Sequence, residues 1–84
     1  MKFCLITFRS ITPAQRAESV LRRAGLECSV QRTPRWMAAQ GCGYSLRVRT
    51  QDVMPAVELL RSGGVAFQKV YLRKEKGAVE ELAV

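Results

Sequence analysis

The cysteines are the strongest nucleophiles in this chain of 84 residues, which contains Cys4, Cys28 and Cys42. Their number is odd, and no two of them have the CxxC spacing. Because small secreted domains usually hold an even set of cysteines in disulfides, this pattern predicts reduced thiols in a cytoplasmic protein. Cys42 differs from the other two in lying between Gly41 and Gly43, which leave room for a partner molecule to approach its sulfur.

The chain contains no histidine. A Ser-His-Asp triad and a Cys-His pair both need an imidazole base, so neither can form within this chain. Zinc sites of the Cys/His type are excluded for the same reason, and we expect no metal and no cofactor. The acidic residues on the predicted helices and near the C-terminus are expected to be solvated surface groups: Glu18, Glu58, Glu80 and Glu81. These features favour a carrier or binding protein over a turnover enzyme.

The charge balance is strongly basic, with 14 lysines and arginines against 7 acidic residues and a net charge of +7. Such a balance favours an anionic partner, which could be a nucleic acid, a phosphorylated metabolite or an acidic protein. No apolar run approaches the ~18 residues that a membrane span requires. The N-terminal segment has the pattern of a strand rather than of a signal peptide, so we expect a soluble protein without a membrane partner.

Period-2 and helical patterns alternate along the chain and predict six elements. Strands are expected at residues 2–8, 27–32, 44–49 and 65–73. One helix is expected from Ser10 or Thr12 to Ala24, before Gly25, and a second from Thr50 or Asp52 to the pair Gly63-Gly64. Residues 33–43 are expected to form a long connection, and residues 74–84 are expected to form a charged tail that is frayed or makes a short helix.

The order β-α-β-β-α-β is that of the ferredoxin-like split-βαβ sandwich, an α+β fold. We therefore predict a single domain over residues 1–84, with its core in 2–73. Right-handed crossovers place both helices on one face of four antiparallel strands in the order 4-1-3-2. Cys4, Ile6 and Phe8 face the helices by alternation, and Cys28 is expected in the core as well.

This topology predicts that Cys42 lies beside the end of the first strand, near Arg9, Ser10 and the start of the first helix. Positive charge and a helix N-terminus favour the thiolate, and Arg35 in the same connection adds charge. The alternative is that Gly41, Cys42 and Gly43 are only a tight turn leading into the third strand.

The sheet face away from the helices is a second candidate site. Its predicted residues are Ser29, Gln31, Arg47, Arg49, Lys69 and Tyr71. RNA-recognition domains use this face, but they stack bases on aromatic residues where this chain has Arg47 and Arg49. The pattern therefore favours a solvated charged face, or a surface for a dimer or another partner, over an RNA-recognition surface. We expect a double Arg→Gln variant at these positions to keep its fold.

Several short motifs together resemble a known family. They are Ala17-Glu18 with Leu21, Ala24-Gly25, Thr33-Pro34-Arg35, and Cys42-Gly43 before Leu46-Arg47-Val48. This pattern is similar to the small bacterial selenium/sulfur (Se/S) carrier protein-like family, and it extends from the first to the fourth strand. The resemblance implies that Cys42 holds sulfur or selenium as a persulfide-type adduct, with Gly41, Gly43, Pro34 and Arg35 forming its loop. The implied partners are a donor protein and an acceptor protein.

Two alternatives stay open beside the carrier. One is a small basic binding module for RNA or a regulatory protein, in which Arg47, Arg49 and Lys69 act and no thiol chemistry occurs. The other is a thiol-dependent redox enzyme or sensor, which the lack of a CxxC motif disfavours.

Overall fold

The structure, a computed structural model, describes residues 3–33, 43–73 and 79–82. Its elements in chain order are β1 (Phe3–Phe8), α1 (Ile11–Arg23), β2 (Cys28–Arg32), β3 (Tyr44–Arg49), a 3₁₀ turn (Thr50–Asp52), α2 (Val53–Ser62), β4 (Val70–Arg73) and β5 (Val79–Leu82). The strict alternation of YSLRVR made β3 the clearest strand in the sequence, and its bounds are those predicted.

The five strands form one sheet in the order β2-β3-β1-β4-β5, and every neighbouring pair is antiparallel. The prediction of an α+β fold with an antiparallel sheet and two helices is confirmed. The first four strands have the predicted neighbours, with β1 and β3 side by side in the interior of the sheet. The predicted count of four strands is wrong, because β5 pairs with the outer edge of β4.

The fifth strand lies in the segment for which the sequence predicts a frayed tail or a short helix. Leu82 packs against the core, and Glu81 lies opposite Tyr71 and forms an ion pair with Lys69 at 3.0 Å. The sequence VEEL does not alternate between apolar and polar residues, so its pattern gave no sign of a strand. Pairing with β4 satisfies backbone groups that would otherwise be unpaired at that edge.

The fourth strand is shorter than predicted and begins at Val70 instead of Val65. The residues just before it are nevertheless bonded to Thr7 of β1. The Gln68 N–H donates to the Thr7 carbonyl at 2.8 Å, and the Thr7 N–H donates to the Lys69 carbonyl at 2.8 Å. The Lys69 N–H donates to the Thr7 hydroxyl at 3.0 Å. Two residues therefore face one residue of β1, which interrupts the regular strand ladder.

Both helices pack on one face of the sheet, as predicted. Their buried side chains share a single core with alternate residues of the central strands: Cys4, Ile6, Phe8, Ala14, Ala17, Leu21, Leu46, Val48, Val53, Ala56, Val57 and Leu60. A glycine with positive φ follows the C-cap residue of each helix, Gly25 at 84° after α1 and Gly64 at 69° after α2, and a side chain at either position would be strained. No helix in the described part of the chain is long and apolar enough to cross a membrane.

Candidate functional site

The connection that carries the candidate thiol is only partly described. Cys42, Gly41, Pro34 and Arg35 lie outside the described residues, and so the predictions for them remain predictions. The residues at the two ends of this connection, Thr33 and Gly43, are described, and they define where it leaves and rejoins the sheet.

Gly43 lies at the junction of three segments. Its carbonyl accepts a hydrogen bond of 3.2 Å from the Thr33 N–H, which extends the ladder between β2 and β3. A Cβ atom added to Gly43 would lie 3.3 Å from the Arg9 carbonyl oxygen, so the chain passes close to the end of β1 here. The structure thus brings together Gly43 and Arg9, two of the residues that the sequence placed at one site.

The first turn of α1 begins immediately after Arg9. Ser10 is the N-cap residue, yet its side chain makes no capping hydrogen bond, and no acidic residue occupies the first turn. The N–H groups at a helix start have no partner within the helix and carry partial positive charge. Arg9 and Ser10 are both exposed. This end of the sheet therefore combines a cationic side chain with a helix terminus that lacks a side-chain cap.

Two buried hydroxyl groups lie near the same junction. The side chains of Thr33, which is 8% exposed, and Ser45, which is 0% exposed, have no hydrogen-bond partner among the described residues. Buried hydroxyls are normally bonded, because an unpaired one loses the hydrogen bonds that water would supply. The sequence did not predict that either hydroxyl is buried, although Thr33 belongs to the family motif, since nothing in the order of the amino acids shows which hydroxyls become buried.

Cys4 and Cys28 differ from a reactive thiol in their surroundings. Cys4 is fully buried, with Sγ donating to the Thr50 hydroxyl at 3.9 Å, and burial raises the pKa of its thiol. Cys28 is half-buried against the core, and burial also raises its pKa, although Arg22 acts in the opposite direction. Both residues are therefore held as neutral thiols near pH 7. Their predicted role as core residues is confirmed for Cys4, while Cys28 packs at the margin of the core.

The side chains of Glu18 and Arg22 cover the outer edge of β2. The Val30 N–H donates to the Glu18 carboxylate at 3.2 Å, and Arg22 donates to the Cys28 carbonyl at 3.2 Å. The expectation that Glu18 is a solvated surface acid is wrong, since its side chain is only 28% exposed. An edge strand whose outward groups are bonded in this way is protected against pairing with another chain.

The sheet face away from the helices carries the predicted basic residues. In register, Ser29 lies opposite Arg47, and Phe3 lies opposite Arg49. The Arg47 guanidinium lies 3.6 Å from the centroid of the Phe3 ring. Sequence reasoning had not singled out Phe3, although alternation with Cys4 already places it on this face.

This face is more buried than the sequence suggested, and two of its cationic side chains have carboxylate partners. Arg49 donates to Asp52 at 3.0 Å, and Lys69 pairs with Glu81. In addition, three residues of the face are almost completely buried: Leu5, Thr7 and Ser45. Arg49 and Lys69 are thus partly exposed cations that already have carboxylate partners. Among the described residues, no group of three Cys, Asp or Glu side chains could hold a metal ion.

Comparison with protein families gives a match over most of the chain. The model of the family described as "Putative Se/S carrier protein-like" matches residues 3–72, which include both helices and the first three strands. No curated protein and no solved structure matches the chain.

Proposed function

The chain belongs to the Se/S carrier protein-like family, and from this premise we propose that it carries sulfur or selenium as a persulfide-type adduct on Cys42. The observation that supports this most directly is the position of Gly43, the residue bonded to Cys42. A Cβ atom added to Gly43 would lie 3.3 Å from the carbonyl oxygen of Arg9, so Gly43 lies close to the residue before the N-cap of α1. A thiolate or persulfide anion formed in this neighbourhood is stabilised by the guanidinium and by the helix N-terminus.

The surroundings of the other two thiols support the same assignment. Cys4 is 0% exposed, and the pKa values of Cys4 and Cys28 are both raised by burial. Because the thiolate is the nucleophile in sulfur transfer, a raised pKa lowers the reactive fraction at neutral pH. Neither residue is suited to take sulfur from a donor, which leaves Cys42 as the carrier.

The proposed transfer is an exchange without net oxidation. The Cys42 thiolate attacks the outer sulfur of a donor persulfide, a new S–S bond forms, and the S–S bond of the donor breaks. The donor leaves as a thiolate, and Cys42 retains the outer sulfur as its own persulfide. The same steps with a selenium atom in the outer position give the selenium adduct. An acceptor nucleophile then removes this atom and regenerates the Cys42 thiolate.

The test is the mass of the intact protein after treatment with a low-molecular-weight persulfide. The parent chain is expected to gain one sulfur atom, and peptide mapping is expected to place it on Cys42. Cys42→Ser should gain none, while the matched control Cys28→Ser should gain as much as the parent. Equal labelling of the parent and Cys42→Ser would refute the assignment of the carrier thiol.

A second experiment tests the contribution of Arg9. Limiting iodoacetamide is reacted with the native protein across pH 5–9, and the alkylated peptides are quantified. We expect Cys42 to react first, and we expect Arg9→Gln to move its midpoint to higher pH. Arg16 is exposed within α1 and beyond its first turn, so Arg16→Gln is the charge-matched control. A midpoint that both variants leave unchanged would remove Arg9 from the site.

The alternative of a basic binding module has weaker support. Of its three cationic residues, Arg49 and Lys69 already have carboxylate partners. Retention on immobilised RNA at increasing salt separates the two functions, since a nucleic-acid module loses affinity steeply with salt. Strong, salt-sensitive retention that is the same for Cys42→Ser and the parent would favour the binding module.

A further inference from the structure

A cleft of about 650 Å³ lies at the end of the sheet opposite to Gly43. Its walls include Phe3, Arg22, Leu26, Ser29, Arg47 and Arg49. Phe3 begins β1, whereas Gly43 adjoins the end of this strand, and a strand of 6 residues spans roughly 17–20 Å. The cleft is therefore separate from the proposed carrier site, and its volume is in the range of small-molecule pockets.

Three guanidinium groups line this cleft, and each has hydrogen-bond donors to spare. Arg47 contacts the Phe3 ring and has no carboxylate partner among the described residues. Arg49 uses its Nε for the bond of 3.0 Å to Asp52, so its two terminal nitrogens are not needed for that bond. Arg22 uses one terminal nitrogen, Nη2, to contact the Cys28 carbonyl and Glu18. An arginine has five N–H donors, so donors remain on all three side chains.

The carboxylates nearby offset much of this charge, because Glu18 and Asp52 are each bonded to one arginine of the set and the exposed Glu27 also lines the cleft. Among the described residues, Arg47 is the arginine of the set that has no carboxylate partner, which makes it the principal anion-binding group. The Arg47 guanidinium lies over the Phe3 ring in a cation–π contact, which restricts the orientation of the guanidinium before any ligand binds. Ser29, opposite Arg47 in the sheet register, is exposed and adds a hydroxyl donor.

We propose that this cleft binds the phosphate group of a small phosphorylated ligand, with Arg47 as the main contact and with Ser29, Arg22 and Arg49 around it. A phosphate monoester offers three terminal oxygens and a double negative charge, which suits several guanidinium forks better than a carboxylate with two oxygens. Leu26 and the Phe3 ring supply apolar wall for the remainder of such a molecule. This proposal does not depend on the chemistry of Cys42.

The test is a titration of the isotope-labelled protein, followed through its backbone amide resonances in NMR. The probes are inorganic phosphate, the phosphate monoester AMP, and adenosine as the analogue without phosphate, all at constant ionic strength. We expect saturable shifts centred on Ser29 and Arg47 with phosphate and AMP, and none with adenosine. Saturation by adenosine alone, or no saturable shift with either phosphate probe, would overturn the proposal.

Variants locate the site within the molecule. Loss of one charged contact is expected to weaken AMP binding about tenfold in Arg47→Gln. Arg16→Gln removes the same charge from the exposed side of α1 and is expected to bind AMP like the parent. Ser29 is exposed on β2, so Ser29→Ala is expected to keep the fold and to weaken AMP binding by a few-fold. This variant replaces Arg47→Gln as the test if Arg47→Gln does not fold.

A nucleic-acid surface would give a different result. A single-stranded RNA oligonucleotide that bound much more tightly than AMP, with equal losses in Arg47→Gln and Arg16→Gln, would indicate a diffuse electrostatic surface. That outcome would overturn the small-ligand cleft. Failure of the cleft test leaves the mass test of Cys42 unaffected, because the two sites lie at opposite ends of the sheet.

Discussion

Replacement of Glu18 by alanine tests how the edge of β2 is protected. The Glu18 carboxylate accepts a hydrogen bond of 3.2 Å from the Val30 N–H and lies 3.5 Å from the Arg22 guanidinium. The variant removes both contacts and leaves an outward backbone donor of β2 without its partner. A hydrogen bond to a charged group contributes about 1.5–3 kcal/mol to stability when it is well shielded.

The expected loss of stability lies around or slightly below the lower limit of that range. The Glu18 side chain is 28% exposed, so water replaces part of the lost hydrogen bond. Arg22 is 62% exposed, and an exposed ion pair on a helix contributes less than about 0.5 kcal/mol. We therefore expect Glu18→Ala to lower the free energy of unfolding by about 1–2 kcal/mol. In a domain of this size, each 1 kcal/mol lowers the melting temperature by roughly 4–8 °C.

The assay is urea denaturation followed by circular dichroism, with Glu58→Ala as the matched control. Glu58 is exposed on α2, so its replacement makes the same change in helix propensity without removing a backbone partner. Glu18→Gln keeps an acceptor oxygen and should recover part of the loss. Light scattering at increasing protein concentration should also show that Glu18→Ala self-associates through the uncovered edge.

The comparison between the two alanine variants decides the result. If Glu18→Ala and Glu58→Ala differ by less than about 0.3 kcal/mol, the carboxylate does not stabilise the edge of β2. If the loss occurs but the variant stays monomeric at all concentrations, the hydrogen bond stabilises the fold without protecting the edge.

Three further predictions concern the thiols, the basic face and the junction at Gly43. Burial raises the pKa values of Cys4 and Cys28 in the folded state, so the unfolded chain ionises first, and stability should fall as the pH rises above about 8.5. A double Cys→Ala variant at these positions should show a smaller fall in urea midpoint between pH 7 and pH 10 than the parent. An equal fall would show that these two thiols do not cause the loss of stability at high pH. Arg49→Gln leaves the nearly buried Asp52 without its cation and should lower the free energy of unfolding, measured by urea denaturation, by about 1–2 kcal/mol. Arg49→Lys should recover part of this loss. If both variants are as stable as the parent, the ion pair makes no net contribution to stability. Gly43→Ala places a methyl group 3.3 Å from a backbone carbonyl and should lower the melting temperature by several degrees, and an unchanged melting temperature would show that the backbone yields freely.

Local patterns in the sequence predict most of the helices and strands and the faces that they bury. Alternation in YSLRVR predicts β3 with its observed bounds, and it also predicts that Cys4, Ile6 and Phe8 face the helices. Glycines with positive φ mark the ends of both helices, as their positions in the sequence indicate. These features depend on residues close together in the chain, and the apolar period of each segment decides which face it buries. The neighbours of β1–β4 then follow from chain connectivity.

Part of the candidate site also follows from the sequence. The family motif around Cys42 and Gly43 is a feature of the amino-acid order, and the position of Gly43 beside Arg9 follows from the predicted topology. The conformation of residues 34–42 lies outside the described part of the chain, so the predicted contacts of Cys42 and Arg35 stay predictions.

Other features arise only when distant segments meet in the folded chain. Glu18 bonds a strand twelve residues further along, and Leu82 reaches the core from a segment without alternation. The cleft joins Arg22 of α1 to Phe3 and Arg47 of two central strands. Which side chains meet depends on strand register and on the placement of α1 over the edge of β2. No local pattern in the sequence predicts the strand register or the placement of α1, because contacts between distant residues depend on the packing of the whole sheet.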